Sequence, residues 1–129
     1  MSKPFTHKKL MEVEDSAAGF GHGEAMEVRF ANEDLEAEST GLSYHRLKPG
    51  RRQAFGHRHD EAEEVYVVIR GSGRLKLDDE LIEVEALDAI RVAPQVTRAF
   101  EAGDEGLEVI ACGPRHEGDG EIVPGWWSD

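Results

Sequence analysis

The chain has 129 residues, 39% apolar and 7% aromatic, with 15 basic against 27 acidic side chains and a formal charge of −12. That length suits one domain rather than two, and such a chain buries roughly two-thirds of its unfolded surface without needing staples. So acidic a surface repels phosphate backbones and anionic lipid, so neither nucleic acid nor a membrane is expected as partner; the acidity itself is solvated surface and names none.

Residues 1–10 carry charge but no apolar run of signal-peptide length. No stretch approaches the ~18 apolar residues a membrane helix needs. Short apolar segments then recur between turn signals. Residues 8–13, 25–30, 42–47, 64–70, 74–77, 81–84, 89–92, 97–101 and 107–112 read as strands. Pro49-Gly50, Gly71-Ser72-Gly73, Asp78-Asp79, Ala93-Pro94 and Ala102-Gly103-Asp104 punctuate them. Many short strands with no strong helix predict an all-β sandwich or closed barrel. Residues 14–23 are polar and glycine-bearing and read as a loop, while acidic residues 32–39 have room for one helical turn.

Val65-Tyr66-Val67-Val68-Ile69 is apolar without alternation, which predicts a strand covered on both faces. In Leu75-Lys76-Leu77 the leucines share a face and Lys76 points away; Asp78-Asp79-Glu80 then leads into Leu81-Ile82-Glu83-Val84 as a hairpin would. Cys112 sits in an apolar run and reads as a small core residue rather than a nucleophile. A lone cysteine excludes an intrachain disulfide and suits a reducing compartment, so the expected location is cytoplasmic. Residues 113–129 read as mostly irregular, ending near Trp126-Trp127, a pair that predicts a tail packed back on the barrel or on a partner subunit.

The richest stretch runs from Pro49 to Glu64. His57 and His59 are one residue apart, which on a strand puts both imidazoles on one face. Residues 60–63 can turn the chain, and a carboxylate then opens the next strand. Two imidazoles and a carboxylate from adjacent strands make a three-ligand site with open positions, suited to iron, manganese, nickel, copper or zinc. The spacing leaves open whether Glu63 or Glu64 supplies the carboxylate, and whether the segment is simply a polar loop.

The run Pro49-Gly50, His57-x-His59, four residues, Glu64, six residues, Gly71 resembles the first conserved motif of the cupin superfamily. The resemblance implies an all-β jelly-roll barrel with His57, His59 and Glu64 on a divalent metal ion inside it. The Glu64-to-Gly71 spacing favours Glu64 over Glu63. The gap from Gly50 to His57 is one residue longer than the common form, an insertion that falls in a loop. Residues 87–100 are similar to the second cupin motif in their rhythm of Asp88, Ile90, Val92 and Pro94, but Arg98 stands where that motif has a histidine. The resemblance covers residues 40–112, within a single domain of residues 1–129 whose N-terminal strands and C-terminal tail pack on the barrel. It also implies a homodimer, with residues 8–13 a candidate exchanged strand.

If Phe100 is a core residue, Arg98 shares its inward face. Three readings follow: a pair with Glu64 that replaces the metal, an anion-binding fork beside a three-ligand metal, or a side chain bent out to solvent. His45, on the strand before Pro49, is a possible replacement ligand; His7, His22 and His116 have no partner spacing. Tyr66 and Val68 follow Glu64 at period two, and Phe100 and Ile90 add wall. Arg98, Tyr66 and Phe100 are therefore the expected substrate-binding residues of a small-molecule pocket, and the catalytic residue stays unassigned. A metal-dependent dioxygenase, isomerase or epimerase acting on a small anionic molecule fits this set. The alternatives are a non-catalytic module binding a sugar or small acid, and a barrel that has lost its metal.

Overall fold

A computed structural model describes residues 4–17, 23–115 and 118–127. Among the described residues, eight strands form one curled antiparallel sheet: β1 (Met26–Phe30), β2 (Thr40–Leu47), β3 (Gly56–His59), β4 (Glu64–Leu77), β5 (Glu80–Glu85), β6 (Ala89–Val92), β7 (Arg98–Pro114) and β8 (Gly120–Val123). Five lie in the order β1-β2-β7-β3-β8, while β4 pairs with β5, β6 and β7. The all-β barrel expected from the strand pattern is thus what forms.

Period-two patterning builds the core. Leu75 and Val68 are fully buried, and Tyr66, Val84, Val92, Phe100, Leu107 and Val109 are buried with them. Each such side chain removed from water is worth roughly 1.5–3 kcal/mol. The hairpin expected at Asp78-Asp79 is present, with Leu77 opposite Glu80 and Asp78 at φ 51°, a conformation that aspartate tolerates.

Two expected turns are absent. Gly71-Ser72-Gly73 and Ala102-Gly103-Asp104 lie inside β4 and β7, which run as one long antiparallel pair from Val65 opposite Cys112 to Leu77 opposite Arg98. The pair bends at register shifts between Val68 and Arg70 and between Gly71 and Gly73. Gly71 has φ 83°, and a Cβ there would run into the Gly106 carbonyl. The glycines therefore bring two strands close while they curl.

Two other expectations, for residues 8–13 and for the run from Val65 to Ile69, are corrected. Residues 8–13 form no strand: a single 3-10 turn covers Leu10–Glu12, and Arg29 draws the Met11 and Val13 carbonyls to its guanidinium instead of leaving them for a ladder. Of the expected loop 14–23, the described residues 14–17 and 23 lie outside the named strands, and Asp15 Oδ1 accepts the Ala17 and Val28 amides, both at 3.0 Å. Within the mostly irregular tail, β8 pairs along β3. The run from Val65 to Ile69 is not covered on both faces: Tyr66 and Val68 are buried, Val65 and Val67 half-buried, and Ile69 exposed.

Trp126 and Trp127 do fold back. Lys76 Nζ sits 4.4 Å from the Trp126 ring centroid and donates to the Trp126 carbonyl at 2.6 Å. Arg52 stacks 4.6 Å over Trp127, whose Nε1 donates to the Gln53 carbonyl at 2.8 Å. Residues 32–39 make hydrogen-bonded turns, with the Leu35 amide donating to Ala31 and the Ala37 amide to Asn32, each at 2.9 Å.

Candidate metal centre

β3 carries the His-x-His pair. His57 lies opposite Arg98 of β7 on one side and Ile122 of β8 on the other. Arg58 points away and pairs with Glu121 at 2.7 Å. The two imidazoles share the other face, with ring centroids 5.4 Å apart at an interplanar angle of 89°. A side chain at Gly56 would strike the Trp126 ring and the Thr97 methyl, so a bare backbone is what lets the tail lie across the start of this strand.

Glu64 opens β4, opposite Val92. Its Oε1 is 3.6 Å from both His57 Nε2 and His59 Nε2. Among the described residues, ligand atoms from His57, His59 and Glu64 come within 4.8 Å of one another. Glu63 instead turns outward to Arg91 at 3.3 Å, so the carboxylate facing the two histidines is that of Glu64.

These atoms suit an ion. Ligands held at about 2.0–2.2 Å from one metal lie roughly 3–3.5 Å apart. The separations of 3.6 Å are close to that and too long for hydrogen bonds. His59 Nε2 is buried with no hydrogen-bond partner, an orphan aimed at Glu64. Three hard or borderline donors with open positions are what a divalent metal takes.

The centre is charged from behind. Arg98 is fully buried, which overturns the reading that bends it to solvent. Its Nη2 donates to Glu64 Oε1 at 2.9 Å, its Nε to the Tyr66 hydroxyl at 3.1 Å, and its Nη1 to the Val96 and Pro94 carbonyls at 2.8 and 3.2 Å. The Pro94 carbonyl also accepts the His59 amide at 2.7 Å, so the loop that Arg98 braces also holds the backbone of His59. Tyr66 donates to Glu64 Oε1 and lies 3.2 Å from His57 Nε2.

Burial alone would raise the Glu64 carboxyl. The His57 and His59 imidazoles, Tyr66 and Arg98 outweigh it and hold Glu64 well below the usual carboxylate range. Burial and the Glu64 charge push the Tyr66 hydroxyl upward, so it keeps its proton. Phe100 stacks edge-on against Tyr66 at 5.1 Å. Arg98, Tyr66 and Phe100 are all buried and stand behind the carboxylate. The cleft of about 560 Å³ at the centre is lined by His59, Glu64, Ser43, Phe30 and Asn32, among others.

His45 points at the same interior but stays outside the three-ligand cluster. Ser43 Oγ meets its Nε2 at 2.8 Å, and its Nδ1 is sealed without a partner. Burial pushes this imidazole down to about 4. His7 lies in the N-terminal segment; His22 and His116 fall outside the described residues. Asp119, which nothing in the sequence singled out, sits with its Oδ2 3.4 Å from His59 Nδ1. Gly118-Asp119-Gly120 reads as an ordinary turn, and no spacing relates it to the histidines.

A curled all-β barrel with an inward His-His-Glu cluster is the architecture of a metal-competent cupin. The cupin domain model matches residues 43–112, and the chain belongs to that family. An uncharacterized protein of Methanocaldococcus jannaschii is 33% identical over 70 residues, which are 52% of this chain and 56% of that protein. The chain thus spans about half the length of the curated relative it matches. A cupin protein from Bacteroides fragilis superposes with a TM-score of 0.70 at 22% identity, covering 91% of this chain and 88% of that one. A polyketide cyclase from Streptomyces resistomycificus gives 0.74 at 17% identity, over 96% and 87%. An oxalate decarboxylase from Bacillus subtilis gives 0.65 at 24% identity, over 77% of this chain and 28% of that one. At these identities the structures share the fold.

Proposed function

We propose that His57, His59 and Glu64 hold one divalent metal ion, and that the chain is a metal-dependent enzyme for a small anionic organic molecule bound in the adjoining cleft. The observation that carries this reading is the orphaned, buried Nε2 of His59 facing Glu64 Oε1 at 3.6 Å. The ion would act as a Lewis acid, or bind dioxygen if it is iron. Arg98 cancels the charge of Glu64, so a divalent ion with two neutral imidazoles leaves the centre with a net positive charge. In a chain of formal charge −12 that favours an anion at this one place. Arg98, Tyr66 and Phe100 serve the substrate from behind, by fixing the carboxylate that meets it. Dioxygenase, isomerase and epimerase chemistry are all compatible with such a set, as are the cyclase and decarboxylase named among the structural neighbours.

A second reading has its own support. The Arg98–Glu64 ion pair at 2.9 Å gives a buried carboxylate the cation it needs without a metal. Elemental analysis of protein purified without a chelating tag, and titration with manganese, iron, nickel, copper and zinc, decide between the two. One ion per chain, lost in His57→Ala and Glu64→Ala and held more tightly in Arg98→His, is the expected result. No stoichiometric ion, with a melting temperature unmoved by chelator, overturns the metal reading and leaves the ion pair.

The chain is further proposed to act as a cytoplasmic homodimer, with a small molecule rather than nucleic acid or membrane as partner. Exposed Ile69 and Leu87 support pairing, and light scattering on the purified chain tests it. No helix among the described residues is long and apolar enough to cross a membrane.

A further inference from the structure

We propose that Asp119 is a positioning residue of the metal centre: its carboxylate keeps the proton of His59 on Nδ1 and pins the chain between the two ligand strands. This rests on the reading of His57, His59 and Glu64 as ligands. Asp119 precedes β8, whose Gly120 lies opposite His59, so the tail delivers it beside that imidazole. The residue is buried to 8% exposure although charged. Its Oδ1 accepts the Asp60 and Glu61 amides at 3.1 and 2.9 Å, and its Oδ2 accepts the Ala62 amide at 3.0 Å. Three consecutive amides of the turn from His59 to Glu64 are thus gathered on one carboxylate, which fixes the approach of the two ligand-bearing strands.

Oδ2 has a lone pair left and lies 3.4 Å from His59 Nδ1, an ion-pair distance rather than a formed hydrogen bond, and that nitrogen, like Nε2, is buried without a hydrogen-bond partner. A neutral imidazole carries one proton. Glu64 Oε1 already accepts from Tyr66 and Arg98, so it competes poorly for that proton. With the proton on Nδ1 beside Asp119, the lone pair on Nε2 faces Glu64 and is free to bind metal. With the proton on Nε2, the imidazole would donate to Glu64 and close the site. A carboxylate behind a ligating histidine performs this service at many metal centres, and its loss typically costs 10–100-fold in affinity.

Imidazole nitrogen NMR on the metal-free protein reads the tautomer directly, without a variant and without activity. His59 should carry Nδ1–H in the wild type and shift toward Nε2–H in Asp119→Asn. Calorimetric zinc titration of Asp119→Asn should show affinity about 10–100-fold weaker. A merely structural role would lower the melting temperature and leave the tautomer and the affinity of the folded variant unchanged. Nε2–H in the wild type, or Nδ1–H that persists in Asp119→Asn with unchanged affinity, overturns the proposal. If Asp119→Asn does not fold, the wild-type tautomer decides. Nδ1–H in a wild type that takes up no ion sinks the metal reading alone and leaves the proton placement standing.

Discussion

His45 shows how far burial governs a single side chain. Its imidazole is held neutral because desolvation pushes it from the ordinary 6.5 down to about 4. The folded value is depressed, so the unfolded chain takes the proton first as pH falls. The stability that neutral His45 allows is complete above 6.5, declines as pH drops from 6.5 to 4, and has gone below that. Two and a half units at 1.36 kcal/mol each give about 3 kcal/mol. Urea denaturation of the metal-free protein at about pH 7 and about pH 4 should therefore cost the wild type about 3 kcal/mol more than His45→Gln. Equal losses would show that His45 is not what the acid attacks. At this same scale the site was only half legible. The His57-x-His59 spacing puts two candidate ligands on one face because a strand has period two. The letters offer the Arg98–Glu64 pair only as one of three readings, and nothing in them says that Asp119 arrives beside His59, since both depend on how strands far apart in sequence close on each other.

Apart from residues 8–13, the segments marked by alternation or an apolar run are strands, and their ends are misplaced where glycine does two jobs. Gly71-Ser72-Gly73 has turn composition, yet it bends β4 without ending it, because β7 bends beside it. A turn and a bulge call on the same residue. β3 and β8 were too short and too polar to signal themselves. The bend makes a sharp prediction. Gly71→Ala places a Cβ against the Gly106 carbonyl at φ 83°. It should cost about 2 kcal/mol or more in chemical denaturation, where an exposed strand glycine changed to alanine would gain. A neutral outcome would mean that the two strands can part here.

At the scale of the molecule, the tail is a working part of the barrel. It supplies β8, Asp119 and two tryptophans clamped by Lys76 and Arg52. A chain ending at Pro114 should lose about 3 kcal/mol or more of stability by urea titration. It should also lose metal affinity, because Asp119 leaves with it. Retained affinity would place the organisation of the centre wholly inside residues 43–112, the span the family model matches.

The guanidinium of Arg98 carries one more consequence. A permanent counter-ion sealed beside Glu64 means that the newly made chain never has to wait for a metal before it can collapse around that acid. If the centre takes an ion as proposed, folding and loading are then separate events in time, and the ion that enters is set by what the surroundings supply to a finished vessel.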